Sequence, residues 1–168
     1  MKLGHLARRF LRALWPGAPR SADTAWVESI LTPAELDLWQ RLPNHDRRYS
    51  IRVAQRVRTL LAGTEFAGDP RWPAAALLHD VGKLDAGLGV AGRVVATALG
   101  ALVPPARHSE GRIGRYLRHG ELGQHRIRAA GGREEAARWA AAHHYRDEWA
   151  GTGVPAPVAE ALAAADDA

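Results

Sequence analysis

Apolar positions recur along this chain at helical spacing, and no stretch alternates in the manner of a strand. In MKLGHLARRFLRALW, Leu3, Leu6, Phe10 and Leu14 form one stripe and Arg8, Arg9 and Arg12 lie opposite, which predicts an amphipathic helix. PGAPRSA, residues 16–22, breaks it and reads as a linker. LTPAEL opens the next helix, with Thr32 as cap, Pro33 at the first position and Glu35 completing a capping box. Pro43 and Asn44 end that helix and start another. Its broad apolar face carries Ile51, Val53, Ala54, Val57, Leu60 and Leu61, and Gly63 closes it. DPRWPAAALLHDVGK predicts a short buried helix ended by Gly82, and LGVAGRVVATALGALVPP an apolar helix stopped by Pro104 and Pro105. SEGRIGRYLRHGELGQHRIRAAGG predicts two helices meeting near His119 and Gly120. REEAARWAAAHHY is helical by propensity, GTGVP is a turn, and APVAEALAAADDA is a last helix. The expectation is an all-α fold without repeats: a helical domain over residues 23–168, preceded by a basic amphipathic helix and linker in residues 1–22.

Composition narrows the chemistry. The chain has 168 residues, 46% of them apolar, enough for one domain with its own core. It has no cysteine, which removes disulfides, thiolate metal sites and thiol catalysis together. The net charge of +5 is confined to one end: Lys2, Arg8, Arg9, Arg12 and Arg20 stand in a segment without acids, and the other 148 residues balance 18 basic against 18 acidic residues. The body of the protein is therefore not expected to bind a nucleic-acid polymer. No apolar run is long enough to span a membrane, and the arginines interrupt any secretory signal. The expected location is the cytoplasm, with residues 1–15 as a candidate peripheral contact with anionic lipid.

Eight histidines are available to hold a metal with nitrogen and oxygen ligands. His79 and Asp80 follow the apolar run of ALLHDVGK. Neighbours on a helix point about 100° apart, yet they can converge on an ion at the helix end. Lys83 adds a positive charge nearby. His119, the adjacent His143 and His144, and Asp166 and Asp167 likewise stand beyond apolar helix faces. Each alone also fits an ordinary helix-end or solvated side chain. Together they suggest a centre for iron, manganese, zinc, nickel or magnesium, with one or two ions per chain.

ALLHDVGK resembles the signature of HD-domain metal-dependent phosphohydrolases. The order His79-Asp80, His119, His143-His144, Asp166 is similar to the ligand set of the binuclear members. HHYRDEWAGTGVP is similar to a segment of the HD-GYP branch, with Val154 where that branch has tyrosine. The resemblance covers roughly residues 42–168. It implies a phosphohydrolase or phosphodiesterase acting on a phosphorylated small molecule, a nucleotide or cyclic nucleotide, through metal-activated water. It assigns His79, Asp80, His119, His143, His144 and Asp166 to the metal, and Asp80 and Lys83 to catalysis, with Lys83 neutralising charge on the phosphoryl group. Arg52, Arg112, Arg115 and Arg118 are candidates for substrate phosphate. One position departs from the pattern: in RYSIRVA, Tyr49 stands where the family has a histidine ligand. His45 lies one turn earlier on the same face and is a candidate substitute. The departure leaves a second reading open, a non-catalytic domain acting as a binding or scaffold module. Neither the substrate-binding residues nor the oligomeric state follows from the sequence.

Overall fold

The computed structural model describes residues 17–167; the expected helix over residues 1–15 and its membrane contact lie outside them. Regular structure among the described residues is entirely helical. In chain order it comprises α1 (Ser21–Ile30), α2 (Pro33–Gln40), α3 (Asn44–Leu60) and α4 (Arg71–Leu78). A first 3₁₀ turn (Val81–Asp85) leads to α5 (Val90–Leu102), a second (Pro104–His108) to α6 (Arg112–Leu117). Then come α7 (His119–Ala129), α8 (Glu134–Ala142), a third 3₁₀ turn (Arg146–Thr152) and α9 (Ala156–Asp166).

α4 is the hub. From Trp72 to Leu78 it is buried at every position, as an all-round apolar helix must be when other helices surround it. α3 and α8 pack along it, α9 crosses α3, and α7 lies on both α8 and the first 3₁₀ turn. Two glycines allow that last approach. A Cβ on Gly82 would collide with the backbone of His119 and stand 2.5 Å from the amide nitrogen of Gly123. A Cβ on Gly120 would stand 2.7 Å from the carbonyl oxygen of Ala140. Backbone there meets backbone with no room for a side chain.

The capping box forms as expected: Glu35 N donates to Thr32 Oγ1 (3.3 Å) and Thr32 N donates to Glu35 Oε2 (2.9 Å). Glu35 does more, because it is fully buried. Its Oε1 accepts from Arg133 N (2.8 Å), and the Arg133 guanidinium lies 3.3 Å from Oε2 while also donating to the Ile30 carbonyl (2.9 Å). One carboxylate thus ties α2 to the start of α8. A second buried carboxylate joins α5 to α3: Arg93 grips Asp46 with two hydrogen bonds, 2.6 and 2.8 Å.

Several boundaries differ from the sequence expectation. Ser21 and Ala22, read as linker, already belong to α1, a helix the apolar pattern does not mark because it buries only Val27 and Ile30. The helix expected to run to Gly82 stops at Leu78, and the chain tightens into a 3₁₀ turn before Gly82. His119 does not end a helix; α6 stops at Leu117 and His119 opens α7. α5 forms where expected, but Val94, Val95 and Leu102 on it are exposed. Among the described residues no single helix is long and apolar enough to cross a membrane.

Candidate metal centre

His79, His119 and His143 reach one buried point from three helix ends, and each ring is held the same way. The last turn of a helix leaves carbonyls without intrahelical partners. The Nδ1 of His79 meets the Ala76 carbonyl at 2.8 Å, that of His119 the Tyr116 carbonyl at 2.7 Å, and that of His143 the Ala140 carbonyl at 2.8 Å. In all three the partner lies three residues back. A carbonyl only accepts, so each Nδ1 carries the proton. In the neutral ring, Nε2 then presents a lone pair to the interior. Metal-binding histidines are oriented by this kind of outer hydrogen bond.

What faces those nitrogens is acidic. His79 Nε2 lies 3.4 Å from Asp80 Oδ2 and 3.4 Å from Asp166 Oδ1, and His119 Nε2 lies 3.2 Å from Asp80 Oδ1. His144 Nε2 stands 3.2 Å from His119 Nε2, at the exposed rim. His143 Nε2 is buried with no hydrogen-bond partner. Lone pairs set against lone pairs and carboxylates need a cation between them. His79, Asp80 and His143 can each bring one ligand atom within 4.8 Å of the others, and so can His119, His143 and His144. Both groups include His143. The donor set of imidazole and carboxylate fits a first-row divalent ion.

Without a metal, protons answer the same demand. Burial alone would lower the pKa of His79, but Asp80 and Asp166 overcome it and lift it to about 9. Burial would raise Asp80, yet His79, Lys83 and His119 hold it well below the usual carboxylate range. Asp166 is depressed in the same way by His79 against its own burial. His143 goes the other way: burial and the neighbouring imidazoles of His144, His79 and His119 drive it well below its ordinary value. Partial burial and His119 lower His144 to about 4.

The remaining sequence candidates sort clearly. The Lys83 ammonium, half-buried, pairs with the buried Asp80 carboxylate. Burial would lower its pKa, but Asp80 raises it. Tyr49 is in the site, its hydroxyl 2.5 Å from Asp166 Oδ1 and 2.7 Å from the Asp166 carbonyl oxygen, with one proton to share between them. His45 lies against Asp46, its Nε2 3.4 Å from Oδ1, and is not among the grouped ligands. Asp167 caps α9, exposed and outside those groups. Three of the proposed phosphate-binding arginines are engaged with backbone. Arg112 donates to the Ala86 carbonyl (3.0 Å), Arg115 to that of Asp85 (2.9 Å) and Arg118 to those of Arg107 and Ser109. Arg52 is exposed with its guanidinium 5.4 Å from the Tyr49 ring centroid.

The orienting carbonyls of Ala76, Tyr116 and Ala140 escape sequence reasoning, although a histidine at a helix end three residues beyond a small or apolar residue is their signal. The pocket wall behind His79 and His143, formed by Val53, Ala76, Trp139 and Leu162, has room for about one water-sized group. Compared with protein-family models, curated proteins and solved structures, the chain matches none.

Proposed function

We propose that the protein is a metal-dependent phosphohydrolase acting on a phosphorylated small molecule. The observation that carries the reading is the convergence of three Nδ1-anchored histidines on Asp80 and Asp166, with His143 Nε2 buried and unpartnered. His79, Asp80, Asp166 and His143 would hold one ion, with His119 and His144 available to a second. A divalent ion there supplies Lewis acidity toward a phosphoryl oxygen and makes water acidic enough to act as a nucleophile near neutral pH. The chain's own contributions are distinct. The three carbonyls fix the imidazole rings, the buried walls exclude bulk water, and Lys83 places a permanent positive charge on the same carboxylate that faces the ion. The ammonium is thereby positioned to meet negative charge that grows on a transferring phosphoryl group.

The test begins with protein purified without chelator or a metal-affinity tag, its metal measured by elemental mass spectrometry. One or two transition-metal ions per chain are expected, together with cleavage of phosphate esters that His79→Ala and Asp80→Ala abolish. A protein that takes up neither manganese, iron nor zinc refutes the reading. A second reading, a metal-binding module without turnover, draws on Tyr49 at the position of the family's histidine. Full metal occupancy with no cleavage across a broad panel of phosphomonoesters and cyclic nucleotides would favour it.

A further inference from the structure

We infer that Tyr49 is a positioning residue that fixes the Asp166 carboxylate for the ion, and is not itself a metal ligand; this rests on the metal-centre reading above. The spacing of the oxygens carries it. The Tyr49 oxygen lies 2.5 Å from Asp166 Oδ1, the separation of a charge-assisted O–H···O⁻ bond with the proton between the two atoms. Two oxygens bound to one ion at about 2.1 Å each would stand about 3 Å or more apart.

The same Oδ1 is the atom that faces His79 Nε2 at 3.4 Å. Tyr49 therefore holds the oxygen that looks into the site. Asp166 needs holding. It is the last residue of α9, where the helix dipole disfavours a carboxylate, and a quarter of its side chain is exposed. The Tyr49 hydroxyl oxygen also lies 2.7 Å from the Asp166 carbonyl oxygen. One hydroxyl on α3 thus holds the direction of the carboxylate at the end of α9. The histidine expected from the family pattern would sit on the ion directly; the tyrosine acts one atom further out, through Asp166.

The experiment measures the Zn²⁺ dissociation constant by competition with a chromophoric chelator, for wild type, Tyr49→Phe, Asp166→Asn and the double variant. Helical signal and thermal midpoint are recorded for each. Tyr49→Phe is expected to weaken Zn²⁺ binding by about 10- to 100-fold. In the Asp166→Asn background the same change is expected to add less than about threefold, because its effect passes through the carboxylate. Wild type loaded with Fe³⁺ is expected to show no phenolate-to-iron absorption in the visible. A full-sized Tyr49→Phe effect in the Asp166→Asn background overturns the inference, as does a visible band that Tyr49→Phe removes; either makes Tyr49 a ligand. Unchanged affinity in a folded Tyr49→Phe overturns it too, since the hydroxyl then merely tethers α9. Wild type that binds no Zn²⁺ overturns the metal centre itself, whereas the other failures leave that reading standing.

Discussion

Replacing Gly82 by alanine tests the close packing on which the metal centre depends. The new methyl group would run into the His119 carbonyl and lie 2.5 Å from the Gly123 nitrogen and 2.8 Å from the His119 carbonyl carbon. An ordinary contact is about 3.5 Å, so α7 and the 3₁₀ turn must part by about 1.5 Å to clear the His119 carbonyl. All the obstacles are backbone, so no side chain can swing away to make room. Overpacking of this kind costs about 3 kcal/mol. For a chain of this size, that lowers the thermal midpoint by about 6–12 °C. The functional loss should be larger than the stability loss implies. Gly82 lies two residues after Asp80, and the displaced backbone carries His119, whose Nε2 is 3.2 Å from Asp80. Calorimetry gives the midpoint and chelator competition the metal affinity. A Gly82→Ala protein that melts within about 2 °C of wild type, with unchanged metal affinity, would refute the contact between α7 and the turn.

Two further predictions follow from buried charges. Glu35→Ala leaves the Arg133 guanidinium and backbone amide in a site built around the lost carboxylate. The expected cost is about 3–5 kcal/mol in urea unfolding, and a loss under 1 kcal/mol would refute that role for the buried clamp. The metal-free protein should be most stable near pH 6.5. The folded pKa of His79, about 9, exceeds its unfolded value of 6.5, so its stabilising contribution is complete below pH 6.5 and is lost as pH rises toward 9. His143 and His144 are depressed, so they lose stability as pH falls below 6.5, His144 down to about 4. Urea midpoints at pH 4.5, 6.5 and 9 should therefore peak in the middle; a profile still rising at pH 9 would contradict the His79 assignment.

The parts legible in the sequence were those written in local pattern. The capping box at Thr32 and Glu35 needs only four consecutive residues, and it forms as read. The buried run before His79 announces a central helix by having no polar face at all. His79, Asp80, His143, His144 and Asp166 follow apolar stretches and the family resemblance adds His119; the structure brings these side chains together. What stayed hidden depends on distant partners. Asp46 and Arg93 are 47 positions apart, and nothing near either says that they pair. Arg112, Arg115 and Arg118 stand in the sequence as candidates for phosphate or as solvated charges, because sequence shows a charge but not the carbonyl it also serves. Tyr49 read as a lost ligand, and only the fold brings it to Asp166, 117 residues away.

The stopping points of α4, α6 and α8 also set a rule for how this protein can change. Each orienting carbonyl belongs to the turn just before its histidine, so the site is keyed to where each helix ends. Inserting one residue within α8 would rotate His143 by about 100° and advance it by about 1.5 Å, taking both the ring and its carbonyl out of register. Added residues in the segment between Leu60 and Arg71, or in the loop from Asp85 to Val90, would leave those ends untouched. Descendants of this chain can therefore vary in the length of their connections, while the helices bearing histidines must keep their residue count.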